Sequence, residues 1–78
     1  MSIAGQLKAV SANIKDRRLD LNFSQTYVAE RLKVTQNAYS KMEIGKTKMS
    51  VERLYEIANV LETSPGQLIN TTALHQIK

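Results

Sequence analysis

Cysteine and tryptophan are absent from this chain of 78 residues, and proline and histidine occur once each. Without cysteine there is no disulfide framework and no thiolate metal cage. The one histidine, His75, stands three residues from the end. That leaves Asp, Glu, Lys and Ser as chemistry, with no nucleophile–base pair, no glycine-rich phosphate loop and no metal-ligand spacing. These absences argue against an enzyme and against a bound metal or cofactor. No apolar run approaches the ~18 residues of a membrane span, and the start, MSIAGQLKAV, lacks the pattern of a secretory signal. The expectation is a soluble, cytoplasmic protein with no membrane partner. One proline and three glycines leave little to break helices, and no run alternates apolar and polar residues between turn signals. The predicted fold class is all-α. A chain this short buries only about 60–65% of its unfolded surface. It reads as a single domain over residues 1–78, without a deep substrate cavity or room for a sensor domain.

What is present is positive charge, unevenly placed. Eleven Lys and Arg face seven Asp and Glu, for a net of +4. Residues 31–48 carry Arg31, Lys33, Lys41, Lys46 and Lys48 against Glu43 alone, whereas residues 50–70 carry Arg53 against Glu52, Glu56 and Glu62. A basic middle with an acidic flank suits a polyanion docked on one face.

Five helices are predicted. The first spans about Ser2 to Leu21, with Ile3, Leu7, Val10, Ile14 and Leu21 on one stripe and Asn22 as a residue that tolerates the left-handed conformation at its end. The second starts at the N-cap Ser24, with Phe23 and Val28 as a hydrophobic staple and Val28, Ala29 and Leu32 inward, and stops near Lys33. The third repeats the pattern, with Thr35 as N-cap, Val34 and Tyr39 as staple, and Gly45 as its end. Its inner residues are Tyr39 and Met42; Gln36, Asn37, Ser40 and Lys41 point outward. The fourth is capped by Ser50, with Met49 and Leu54 as staple and Leu54, Ile57, Ala58 and Leu61 as its stripe. The fifth begins at Ser64-Pro65, where Gln67 completes a capping box, followed by Leu68 and Ile69. The tail, residues 70–78, is weakly patterned. Helices of about eight residues are not stable alone, so the second and third must lean on the others, and the outer face of the third stays presented.

The stretch from Ile14 to Ile69 resembles the phage repressor/Cro family of helix-turn-helix proteins, the xenobiotic-response-element type. The residues that carry the resemblance are Ser24-Gln25 and Val28-Ala29, then Val34-Thr35-Gln36, Lys41-Met42-Glu43 and Gly45-Lys46. Ser50-Val51 with Leu54-Ile57-Ala58-Leu61, and Ser64-Pro65 to Leu68-Ile69, continue it without a gap. The resemblance implies a five-helix, lambda-repressor-like domain with helices two and three as the helix-turn-helix, a core at 14–69, and residues 1–13 as an extension of the first helix to which no family role transfers. It implies that Gln36 reads a base, and that Gln25 holds both a phosphate and Gln36. It implies an ion pair between Arg18 and Glu43, and a small residue at Ala29 where two helices cross. The physics of the groove agrees. Gln36 and Asn37 suit bidentate contact with adenine, and Lys41, one turn on, reaches guanine or a phosphate. Thr26, Tyr27, Thr35, Ser40, Lys46 and Lys48 complete the expected DNA-backbone contacts. Three residues depart from the family pattern. Lys33 stands in the turn where glycine is frequent, Met49 replaces a frequent proline, and Ile44 stands where a polar side chain often approaches the DNA backbone. Tyr39 reads as a core aromatic whose hydroxyl reaches the edge.

The function expected is sequence-specific binding of double-stranded DNA by a small transcriptional regulator, a repressor or autoregulator. The alternative is a protein-binding module, such as an antitoxin or bridging factor, in which DNA binding is secondary. RNA is disfavoured because the few aromatics are mostly spent on the core. One recognition helix reads too few base pairs for a selective site, and family members pair two of them about 34 Å apart. The expected partner is therefore a pseudo-palindromic operator bound by a homodimer. Ile3, Leu7, Ile69, Leu74 and Ile77 are the surplus apolar residues that point to its interface.

Overall fold

Five helices follow one another in the order α1 Ile3–Asp20, α2 Gln25–Leu32, α3 Gln36–Glu43, α4 Val51–Val60 and α5 Pro65–Ile69. The structure is a computed structural model that describes the backbone of residues 3–69 and the side chains of residues 5–69; no strand occurs among the described residues. Of the surplus apolar residues, the side chain of Ile3 and both Leu74 and Ile77 lie outside what is described. No described helix is long and apolar enough to cross a membrane.

Each helix from α2 onward starts on a hydroxyl. Ser24, Thr35 and Ser50 accept the backbone N–H three residues on, at 3.0 Å in every case, and Ser64 does the same for Gln67 at 3.2 Å. Such a cap satisfies one of the orphan donors of the first turn and contributes about 1 kcal/mol. The staple pairs Phe23–Val28, Val34–Tyr39 and Met49–Leu54 all join the apolar cluster, so each cap also fixes the angle at which the chain enters its helix. At α5 the expected capping box is only half formed. The Thr63 hydroxyl, one residue before the cap, donates instead to the side-chain amide oxygen Oε1 of Gln67 at 3.4 Å.

The first four helices end the same way. Asn22, Lys33, Gly45 and Glu62 have φ of 61°, 62°, 78° and 58°. At each, the left-handed residue donates its N–H three residues back, and the next residue donates five back. At Lys33 these bonds are Lys33 to Glu30 at 3.1 Å and Val34 to Ala29 at 3.0 Å; at Gly45 they are Gly45 to Met42 at 3.2 Å and Lys46 to Lys41 at 3.0 Å. The orphan carbonyls are thereby used, and the chain turns in two residues. Only position 45 has glycine there. A second reason holds it: a Cβ at Gly45 would come within 3.3 Å of the Lys8 Cγ on α1.

The inward faces meet in one core of Ile14, Val28, Ala29, Leu32, Tyr39, Met42, Ile57, Ala58, Leu61 and Leu68. Helix α2 packs on α3 and α4, α1 on α3 and α5, and α4 on α5. Ala29 is buried on α2, the helix that packs on both α3 and α4; a larger residue there would overpack the core.

Helix α1 adds polar links to this packing. The Ser11 hydroxyl donates to the Met42 carbonyl at 2.8 Å, the Asn13 amide to the Leu68 carbonyl at 2.7 Å, and Arg17 to the carbonyls of Leu61 and Glu62, both at 2.9 Å. One helix thus satisfies carbonyls at the ends of α3, α4 and α5. These residues carry no signal in the sequence, because each partner is a backbone atom 31 to 55 positions away.

A left-handed non-glycine residue costs roughly 1–2 kcal/mol, and a glycine loses about 0.5–1 kcal/mol more chain entropy on folding. Lys33 is exposed, so nothing else changes on its removal. Lys33→Gly is expected to stabilise the protein by about 0.5–1 kcal/mol, a rise in Tm of several degrees. Thermal unfolding checks this; a fall in Tm would show that the turn carries no strain.

Candidate nucleic-acid interface

Helix α3 is two-sided by construction. Tyr39, Met42 and Glu43 face inward and are buried, while Gln36, Asn37 and Lys41 are exposed and Ser40 is half-buried. Cap, staple and turn leave the helix no other orientation. Its first turn carries amides, and its flank carries cations: Lys41, Lys46 and Lys48 are exposed and have no ion-pair partner among the described residues.

Behind this surface lies a buried charge. Arg18 Nε donates to Glu43 Oε2 at 2.6 Å and Arg18 Nη2 to Glu43 Oε1 at 3.2 Å, a two-pronged contact between α1 and α3. The remaining guanidinium nitrogen, Nη1, donates to the Phe23 carbonyl at 2.8 Å. Glu43 takes two further donors, the Tyr39 hydroxyl at 2.5 Å and Gln25 Nε2 at 3.1 Å. The resemblance implied the Arg18–Glu43 pair. Tyr39 departs from its expected place: the hydroxyl does not reach the edge but turns inward to the carboxylate, and the side chain is wholly buried. A buried carboxylate needs more donors than one arginine supplies, and a tyrosine one turn back on the same helix is in reach.

The titration of these groups follows from the contacts. Burial pushes the Glu43 carboxyl up, but the bonds from Arg18, Tyr39 and Gln25 outweigh it and hold it below the ordinary glutamate range. Burial, then the bond to Glu43, lifts the Tyr39 hydroxyl far above the usual phenol value, so it stays a donor. The hydrogen bond to Glu43 raises Arg18 further, against the burial that lowers it.

From Glu43 the hydrogen bonds continue outward. Gln25, the first residue of α2, gives its Nε2 to Glu43 and accepts at Oε1 from Gln36 Nε2 at 3.4 Å. Gln36 Oε1 in turn accepts from the Thr26 hydroxyl at 3.0 Å. The structure therefore brings Gln25, Thr26 and Gln36 together at the joint of the two helix starts. For Thr26, expected only at the DNA backbone, it adds a role the residue order did not show: it holds a glutamine of α3. Tyr27 is 37% exposed, with its ring tilted against Phe23 at 4.5 Å between centroids, and its hydroxyl accepts from Arg31 at 2.7 Å. Thr35 has its oxygen committed to the cap. Asn37, Lys41, Lys46 and Lys48 are exposed and Ser40 half-buried, and among the described residues their side chains are not bonded to one another. Ile44, just past α3, is 54% exposed and its side chain offers no polar atom.

Removing one partner of a buried pair costs about 3–5 kcal/mol. Glu43→Ala is therefore expected to lower Tm steeply. The acid limb carries a second signature. Folding lowers the Glu43 pKa, so its stabilisation is fully present above the unfolded value of about 4.3 and is lost as pH falls through the lower folded value. The stability gap between wild type and Glu43→Gln should narrow as pH drops below about 4. A gap that stays constant in acid would show that the carboxylate is not charged and paired in the folded state.

A helix-turn-helix family model matches residues 14–68. Among solved structures, the chain is similar to two crystal structures of the clp gene regulator ClgR from Corynebacterium glutamicum. The first has a TM-score of 0.82 at 23% identity, covering 90% of this chain and 74% of that one. The second has a TM-score of 0.82 at 22% identity, covering 91% and 92%. At these identities the likeness is one of fold, whereas the family match rests on most of the chain. This chain belongs to the Cro/C1-type helix-turn-helix family of DNA-binding transcriptional regulators.

Proposed function

We propose that the protein reads a specific double-stranded DNA site with α3 in the major groove. The observation that supports this best is the division of α3: an inner face locked by Tyr39, Met42 and Glu43, and an outer face of Gln36, Asn37 and Lys41 left free beside uncompensated cations. A groove about 12 Å wide admits one helix, and a glutamine or asparagine meets adenine with one donor and one acceptor. In this reading Gln36, Asn37 and Lys41 contact base edges. Gln25, Thr26, Tyr27, Thr35, Ser40, Lys46 and Lys48 face phosphates, which position the helix without reading sequence. Arg18 and Glu43 act in the scaffold.

Selectivity asks for two such helices, so the active form in this reading is a two-fold homodimer on a pseudo-palindromic operator. Leu7 on α1 and Ile69 on α5 are 43% and 50% exposed, and their helices pack against each other. Apolar exposure of this kind is usual at interfaces. The acidic Glu52, Glu56 and Glu62 of the α4 region stay off the DNA.

Selection of bound sites from random DNA is expected to return an inverted repeat with half-site centres about 34 Å apart. On that site Gln36→Ala is expected to cost about 1–3 kcal/mol and relax preference at one base pair. Lys46→Ala or Lys48→Ala should weaken binding on all sequences and flatten the slope of log K against log salt by about one unit. A single unrepeated site would contradict the dimer. Equal loss by Gln36→Ala on specific and random DNA would contradict the base-reading role.

A further inference from the structure

Gln36 is an amide, and an amide has two ends. Which end meets which atom of a base decides whether a donor–acceptor edge is matched, so something must hold the sense of the group before DNA arrives. Surface glutamines are free to flip. Here the sense is constrained from inside the protein. The Glu43 carboxylate is an acceptor only, so Gln25 can approach it only with its Nε2, at 3.1 Å. With Nε2 so used, Gln25 turns its Oε1 toward α3, where only a donor fits, and Gln36 supplies Nε2 at 3.4 Å. The other end, Gln36 Oε1, receives the Thr26 hydroxyl at 3.0 Å. Each step follows from donors meeting acceptors, and the source of the polarity is the charge on Glu43. Arg18 and Tyr39 secure that charge with three further donors.

We propose that buried Glu43 sets the hydrogen-bonding sense of Gln36 through Gln25, and so acts as a positioning residue for base selectivity without touching DNA. This rests on the reading of Gln36 as a base contact. Glu43 is 4% exposed at the inner side of α3, and no groove atom can reach it. Its effect on selectivity therefore runs inside the protein, through the pair of glutamines or through the placement of α3, and Gln25→Ala, which leaves the Arg18–Glu43 pair intact, separates the two. The sign of a substitution also follows. In Glu43→Gln, Arg18 Nε at 2.6 Å and the Tyr39 hydroxyl both donate toward the Oε2 position. Arg18 Nε can only donate, and its contact is the shorter of the two from the guanidinium, so it keeps the oxygen of the new amide there and puts the nitrogen at the Oε1 position, facing Gln25 at the loss of the 3.2 Å contact from Arg18 Nη2. Gln25 then presents Oε1 inward and Nε2 outward, and Gln36 reverses in turn. Thr26 can follow, because a hydroxyl both donates and accepts.

The test uses binding to four versions of the selected site that differ only at the base pair lost in Gln36→Ala, below the melting range of every variant. Glu43→Gln is expected to reduce preference at that base pair by about tenfold, the scale of one bidentate contact, with other positions and random DNA little changed. In a Gln36→Ala background it should change preference no further. Gln25→Ala, which leaves Arg18, Tyr39 and Glu43 in place, should lose preference at the same base pair. In the free protein, NMR signals of the Gln36 side-chain amide should move in Glu43→Gln, two hydrogen bonds from the change. Folded Glu43→Gln and Gln25→Ala proteins that keep the wild-type preference would overturn the proposal, as would Gln36 amide signals that stay in place. If Gln36→Ala leaves every base preference intact, the base-reading role fails, and the amide signals alone then decide whether the sense is transmitted.

Discussion

A carboxylate with almost no access to water organises this small protein. Glu43 receives donors from Arg18 on α1, Gln25 on α2 and Tyr39 on α3 itself. An uncompensated charge in a protein interior is too costly to persist, so these partners have to be in place together. Three helices are thereby held at one point, and among the described residues no buried side-chain polar atom lacks a partner. A salt bridge of this kind need not add net stability over an apolar contact of the same shape. It does make the position of α3 specific: sliding or turning that helix would leave the charge without its donors.

Helix α1 complements this from the other side. Its apolar contribution to the core is modest, with Ile14 fully buried and Val10 only partly so, as is Leu21 just past its end. Its polar residues do much of the joining, through Ser11, Asn13, Arg17 and Arg18 to the ends of the remaining helices. The outcome is a frame that fixes a short helix by its back and its ends while leaving its front bare. That is the condition for presenting side chains to a groove: α3, only eight residues long, would not hold its shape alone.

The helices and their limits were legible in the residues because the signals are local. A hydroxyl before each helix, an apolar pair around it and a residue able to turn left-handed at its end can all be read within a few positions of one another, and Ser24, Thr35, Ser50, Asn22 and Gly45 do what their chemistry suggests. The outward set of α3 followed from the same periodicity. The Arg18–Glu43 contact, 25 positions apart, came only from the register of a family pattern. What stayed hidden is the direction of side chains between elements. The inward turn of the Tyr39 hydroxyl, the hold of Thr26 on Gln36, and the links made by Ser11, Asn13 and Arg17 depend on where helices lie in space. Nothing in a run of neighbouring residues encodes that.

The central claim is that the buried carboxylate joins α3 to α1 so that the two open as one unit. Native-state hydrogen exchange tests it most directly, by comparing backbone amides of α3 at Tyr39–Glu43 with those of α1 around Ile14–Arg18. Exchange reports the free energy at which each segment opens. The expected result is a common value close to that of global unfolding in the wild type, with α3 opening below α1 in Glu43→Ala. Exchange of α3 through a separate opening well below that of α1 in the wild-type protein would contradict the account.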